Sequence, residues 1–479
     1  VVPLTDARRR WAFLTVIATT FMTYLDNNIV NVALPSMRRD LHLGVSGLEW
    51  VVSSYVLVFG CLLLVCGRLA DLHGNRVLLL VGMGVFTLAS LLAGLAWHPA
   101  VLIGGRAVQG LGAAAATPAA LAVIQALYPV ERQRNRAMGI WGAAGALALA
   151  VGPLLGGVLS EHVGWAWIFL INVPIGVAVL VAGAWSVGPP AADRVGARVD
   201  LAGLATSGGA LFALTYALIQ GGQAGWGSPV IVGCLVVAVL GGAAFVVVEL
   251  RGTDPMVTPS WFRDPVFGGG MVAAFIWAFG IYGIYFFTSL YLQGVLGFSP
   301  TRTGLVFVPM ALLVIIGSVL NDRAARRFGA HRSVACAMVV MAAGMAGGLL
   351  LGTDAGFAQV TAVLVVMGIG AGFTTSLPTT ILGVMPAGRA GVASAIFSTV
   401  RQTGGLIGIT AIGAVLAAGE SRARRTGSTA DGAFVEGFHL GLVMSAALVA
   451  VGGVVAYFAL RRVAPTGSRP GRAVGASST

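Results

Sequence analysis

Apolar runs long enough to cross a bilayer recur along the whole chain, with polar residues gathered in short breaks between them. A span needs about 20 residues at about 1.5 Å each. Measured on that ruler, the pattern predicts fourteen helices, near 11–34, 49–68, 77–97, 101–124, 137–159, 166–187, 199–220, 229–250, 266–292, 301–320, 333–351, 357–383, 391–417 and 436–460. The halves resemble one another. Gly67-Arg68-Leu69-Ala70-Asp71-Leu72-His73-Gly74-Asn75-Arg76 joins spans 2 and 3, and the charged turn from Gly317 to Gly329 joins spans 10 and 11. Two six-span groups of parallel topology imply bundles related about the membrane normal. The expected fold class is therefore an all-α membrane protein of two six-helix bundles plus two inserted central spans. The expected division is 1–188 for the first bundle, 189–265 for a linker with spans 7 and 8, 266–460 for the second bundle, and 461–479 for a tail.

Composition agrees with the pattern. Of 479 residues, 57% are apolar without counting 69 glycines, only 10% are charged, and mean hydropathy is +0.91. A soluble domain carries about 25% charged residues, so a soluble fold is excluded. The net charge is +12 and every basic residue is Arg. Without Lys there is no phosphate-loop lysine and no Schiff-base lysine, and no ATPase subunit is expected. The arginines read as a topology signal and not as a nucleic-acid surface. Six of the 29 (Arg38, Arg39, Arg302, Arg422, Arg424, Arg425) fall on one set of turns and two (Arg106, Arg401) fall inside spans. The other 21 fall on the set that holds the chain ends. This bias predicts that both termini are cytoplasmic. Arg8, Arg9 and Arg10 precede an apolar run without a small-residue cleavage pattern, so that run reads as a retained first span. Four scattered cysteines and six scattered histidines make no ligand spacing, and neither a metal nor a cofactor is expected.

Asp26 is the one acid that the pattern places well inside a span, among Tyr24, Asn27, Asn28 and Asn31. A carboxylate near mid-membrane costs several kcal/mol unless it is paired, hydrated or protonated. Span 1 runs outward and span 4 inward, so depth is counted from their outer ends. Asp26 lies eight residues before Leu34, about 12 Å down, and Arg106 lies five after Val101, about 8 Å down. Similar depth offers an ion pair in which the cation favours the ionised acid and burial opposes it. The residues alone leave open a proton-coupling pair, a static salt bridge, or a polar cluster of Asp and Asn that glues helices together.

Other positions carry a mechanical reading. Gly152, Pro153, Gly156 and Gly157 make a smooth, bent stretch on which a neighbour can slide or close. Gly67, Asp71, Gly74 and Arg76 form a turn whose charges can pair with each other or with neighbouring helix ends, or can be plain topological charge. Arg401 lies about 15 Å into span 13. Span 9 carries Trp277, Tyr282, Tyr285 and Phe286 among its rings, enough to line a broad apolar cavity or to pack against lipid. Tyr24, Asn27, Asn31 and Gln109 complete the candidate substrate pathway.

Taken in order, these motifs resemble the fourteen-span drug:proton antiporter family of the major facilitator superfamily, over about residues 11–460. The first-span signature appears as Leu25-Asp26-Asn27-Asn28-Ile29-Val30-Asn31-Val32-Ala33-Leu34-Pro35. The loop motif lies at Gly67–Arg76, the span-4 motif at Arg106, Gln109, Gly110 and Gly112, and the antiporter motif at Gly152–Gly157. The resemblance implies proton-coupled export of lipophilic drugs or antibiotics by alternating access, with a facilitator or proton symporter for a small metabolite or lipid as the alternative. Protons, a lipophilic small molecule and the lipid bilayer are the implied partners, and the chain is expected to work as a monomer in the cell membrane. Asn28, Leu72, Asn75 and Ala166 depart from the family pattern. No membrane acid appears in the second half, so dication export is not expected.

Overall fold

The computed structural model describes residues 5–188, 200–252, 257, 259–385 and 390–461, with the backbone alone at 71, 131, 135, 322, 390 and 391. Each predicted span falls on one helix. These are α1 (Asp6–Leu41), α2 (Val45–His73), α3 (Asn75–Gly94), α4 (Pro99–Leu127), α5 (Glu131–His162), α6 (Trp167–Ser186) and α7 (Leu201–Ala224). They continue with α8 (Pro229–Arg251), α9 (Pro265–Leu290), α10 (Pro300–Phe328), α11 (Ala330–Gly347), α12 (Phe357–Gly383), α13 (Ala390–Arg425) and α14 (Ala430–Leu460). By length and hydropathy α2 to α14 could each cross a membrane. The longer and more polar α1 carries Arg8–Arg10 near its start and Arg38 and Arg39 in its last turn, where cations suit the helix dipole.

Local chemistry sets the helix ends. Polar caps followed by Pro open several helices: Asp264 Oδ1 accepts from Val266 N at 2.7 Å ahead of Pro265, and Ser299 Oγ accepts from Arg302 N at 3.3 Å ahead of Pro300. The turns joining α2 to α3 and α10 to α11 use the same device. Gly74 (φ 89°) and Gly329 (φ 86°) adopt a left-handed conformation that other residues resist, and each amide closes on the carbonyl four residues back. This matched pair is the clearest trace of repetition in the backbone. Two helices are interrupted. α6 breaks at Ile171, just before Asn172, and α12 breaks between Gly372 and Ser376.

Helices α1 to α6 pack together, chiefly α1 on α5, α2 on α4, and α3 on α4 and α6. Helices α9 to α14 do the same, with α9 on α13 and α14, and α12 on α10 and α11. The groups meet along α5 with α10 and along α2 with α13, while α1 touches α9. α7 leans on α2 and α13, and α8 packs mainly on α7. Val236, Val239 and Leu240 of α8 are among its many exposed apolar side chains, a surface suited to lipid and not to water. An even number of crossings puts both ends of the described chain on one face, called the terminal face below; the other is the far face. One consequence is directly measurable. On a background lacking the four native cysteines, Gly222→Cys and Arg425→Cys are both expected to react with an impermeant thiol reagent from the side opposite the termini. Labelling of either from the terminal side would overturn this topology.

Candidate functional site

Asp26 and Arg106 meet in an ion pair with both side chains 0% exposed. Asp26 comes from the middle of α1 and Arg106 from α4, and the pair is enclosed by further polar groups. Gln109 Nε2 and Asn172 Nδ2 each donate to Asp26 Oδ1 at 3.0 Å. Arg106 donates through Nη1 to Gln109 Oε1 at 2.9 Å and through Nε to the Val51 carbonyl at 3.2 Å. Gln109 Nε2 also reaches Ser90 Oγ at 2.7 Å, and the Tyr55 ring lies 4.4 Å from the guanidinium. A buried ion pair is tolerable only when its remaining donors and acceptors are met, and here α1, α2, α3, α4 and α6 all contribute. Asn172 reaches the carboxylate because α6 breaks just before it. Arg106 Nη2 and Asn172 Oδ1 have no partner among the described residues.

Between the two groups lies a cavity of about 690 Å³. Gly67, Arg68, Asn75 and Gln125 line it near the terminal face, while the far face is shut. Three hydrogen bonds cross between the groups at that shut end. Ser289 Oγ donates to the Asn31 carbonyl at 2.7 Å, Gln293 Nε2 to the Val32 carbonyl at 2.7 Å, and Thr301 N to Glu161 Oε2 at 2.8 Å. The glycine stretch of α5 lies in the same region. A Cβ on Gly152 would fall 2.9 Å from Asn28 Cβ, and one on Gly157 would fall 2.9 Å from Thr301 Cα. These glycines therefore permit α5 to approach both α1 and α10.

Of the residues expected on the substrate pathway, Tyr24, Asn27, Trp277, Tyr282, Tyr285 and Arg401 line the cavity. Three do not. Gln109 is fully enclosed in the Asp26 network, because an amide is the group that can donate to the carboxylate and accept from the guanidinium together. Phe286 is fully buried against Phe287, since one turn of α9 cannot present all its rings to the same side. Asn31 sits toward the shut end, in a smaller void with Val52, Tyr282 and Gln402. Asp26 itself does not line the cavity; Asn27 and Asn28 beside it do.

At the turn after α2, Arg76 Nη2 donates to the Ala184 carbonyl near the end of α6, at 2.5 Å. The Asp71 side chain lies outside the described residues. Sequence reasoning passed over Ser90, Asn172 and Tyr55. A polar Asn in the apolar run around Ile171 and Val173, with Pro174 beside it to break the helix, was the available signal. It also treated Asp26 as the sole deep acid, whereas Glu49 and Glu249 are each 3% exposed. Both stand within a turn or so of a helix end and read as boundary charges, yet α13 covers Glu49 at Gly413, and Glu249 accepts from Val257 N at 3.0 Å.

The model of the Major Facilitator Superfamily matches residues 16–409. The chain belongs to that superfamily. Among curated relatives of this superfamily member, the puromycin resistance protein of Streptomyces alboniger is 36% identical over 420 residues, covering 86% of this chain and 82% of the relative. A multidrug resistance protein of Mycobacterium tuberculosis is 38% identical over 416 residues, covering 85% and 76%. The tetracenomycin C resistance and export protein of Streptomyces glaucescens is 33% identical over 411 residues, covering 85% and 76%. A crystal structure of a bacterial homolog to the human lysosomal transporter Spinster, in an inward-facing and unoccupied conformation, shares the fold. Its TM-score is 0.67 at 16% identity, over 95% of this chain and 98% of that one.

Proposed function

We propose that this superfamily member exports lipophilic compounds across the cell membrane in exchange for protons, by alternating access, with both termini in the cytoplasm. The observation that carries the reading is the cavity, reached from the face that holds the termini, beside a fully enclosed carboxylate that ties its wall together. Resistance and export functions in the names of its relatives support the choice of cargo and direction. The arginine bias supports the orientation.

Helix α1 provides the physical link. Through Asp26 it holds α4 and α6; through Tyr24, Asn27 and Asn28 it faces the cavity; through the Asn31 and Val32 carbonyls it holds the far-face closure. A proton arriving at Asp26 cancels the charge that holds Arg106 and turns one acceptor oxygen into a donor. The three donors around the carboxylate then compete for one fewer acceptor, and the hold of α1 on α4 and α6 weakens. Cargo on the cavity side and protons on the network side thus act on one helix. The bundles within 1–188 and 266–460 are the moving bodies of this cycle, and 189–265 supplies peripheral helices outside the interface. The transporter acts as a monomer and needs no ATPase.

The test is transport by purified protein in liposomes across a panel of lipophilic compounds, with and without an imposed pH gradient. Uphill movement that needs the gradient is expected for some of them. Downhill equilibration alone would favour the facilitator reading, and no gradient-dependent movement of any compound would overturn export.

A further inference from the structure

The charge on the described cavity wall is of one sign. Among its described lining residues there is no carboxylate, and the two charged ones are Arg68, near the terminal face, and Arg401, deep in α13. Among the described residues no ion pair involves Arg401, and its ionisable neighbours are the phenols of Tyr24, with which it shares a hydrogen bond, and Tyr282. The deep carboxylate Asp26 does not line the cavity and is already matched by Arg106. The site is therefore positive in the region where a cargo molecule would sit.

Polar groups on the lining residues point the same way. Arg401 Nε, Trp141 Nε1 and Trp277 Nε1, which can only donate, have no acceptor among the described residues, and the hydroxyls of Tyr285 and Thr117 have no partner among them either. Unmet buried donors are costly, and a ligand supplying acceptor oxygens removes that cost. A cation adds repulsion from Arg401 in a site of low dielectric. Against this stand the ring faces of Trp277 and Tyr285, which attract cations, but rings are weaker than a full positive charge at similar range.

We infer that the cargo of this cavity is a lipophilic molecule rich in acceptor oxygens and bearing an acidic group, a carboxylate or an ionised phenol or enol, that pairs with Arg401. This rests on the cavity being the cargo site of the proposed exporter. Lipophilic cations are the class it disfavours.

Three probes that share one apolar body separate the classes: pyrenebutanoate, pyrenebutanol and pyrenebutyl-trimethylammonium. Binding to the purified, full-length protein is read at neutral pH from quenching of tryptophan fluorescence. The anion is expected to bind about tenfold or more tighter than the alcohol, the range of one charge-assisted hydrogen bond, and the cation weakest. Arg401→Gln is expected to lower the anion to the affinity of the alcohol while the alcohol is unmoved, and Arg401→Lys to keep most of the preference. A cation that binds as tightly as the anion would overturn the inference, as would an anion preference that Arg401→Gln leaves intact. If Arg401→Gln does not fold, the wild-type ranking decides. Gradient-driven flux of the same probes in liposomes is scored separately. Bound probes that the gradient fails to move would overturn export while leaving the ranking, and transported probes led by the cation would do the reverse.

Discussion

Asp26→Asn is expected to abolish proton-driven uphill transport while leaving a folded protein that still binds cargo. An amide cannot cycle a proton, so loss of coupling follows whenever Asp26 is the coupling group. Folding is expected to survive because the surrounding network can re-form around the amide. The introduced NH2 would face donors from Gln109 and Asn172, but Asn172 Oδ1 has no partner among the described residues, and turning that amide over presents it to the new donor. The residual cost is then about 1–3 kcal/mol for imperfect pairing with Arg106. A static salt bridge predicts something else. In that reading the carboxylate only holds helices together, so whatever Asp26→Asn or Arg106→Ala protein is recovered would still respond to the gradient. Binding by fluorescence quenching and gradient-driven flux, measured on the same preparations, separate the two. Robust uphill transport by Asp26→Asn would end the coupling reading and turn attention to Glu49, a second enclosed carboxylate.

Most of the fold was legible because lipid imposes a single, strong rule: backbone polar groups must be satisfied within each segment, so an apolar run of span length is a helix. Fourteen runs became fourteen helices on that ground alone. The pairing of Asp26 with Arg106 was legible from depth, since rise per residue converts position into height. Rotation about the helix axis was harder to read. Span 9 is apolar on all sides, so nothing in its pattern separates Trp277 and Tyr285, which line the cavity, from Phe286, which does not. Gln109 lies in the closed network and off the cavity wall for a related reason: a polar residue in a span signals an interior position without saying whether that interior is a cavity or a closed network. Asn172 needed the break at Ile171, which Pro174 announces locally because it has no N–H to donate and its ring crowds the Leu170 carbonyl, a signal that the count of apolar runs passes over.

The far-face closure makes the second large prediction. Gly304 of α10 lies against Pro153 and Leu154 of α5, so close that an added Cβ would fall 2.9 Å from Leu154 Cα. The neighbouring atoms are backbone and cannot swing aside as a flexible side chain does. Gly304→Val therefore forces α5 and α10 apart at this end, and only in the state in which they touch. Overpacking of this kind costs about 1–3 kcal/mol, which moves a two-state equilibrium about 5- to 150-fold. Alternating access requires both states in each turn of the cycle, so gradient-driven transport is expected to fall about tenfold or more. Spin labels at His162 and Arg302, both exposed at the far face, are expected to report a longer and broader distance in this variant than in the wild type. The same readout guards against a trivial loss of fold, because an opened far face leaves helices α11 to α14 and their packing untouched and thermal unfolding still cooperative. Gly139→Val serves as the comparison. It lies on the same helix α5, where a Cβ meets nothing within 4 Å, and it is expected to transport normally. An unchanged distance together with unchanged transport in Gly304→Val would mean that the α5 and α10 contact is not part of the cycle, and the gate would have to be sought in the Ser289 and Gln293 bonds to α1.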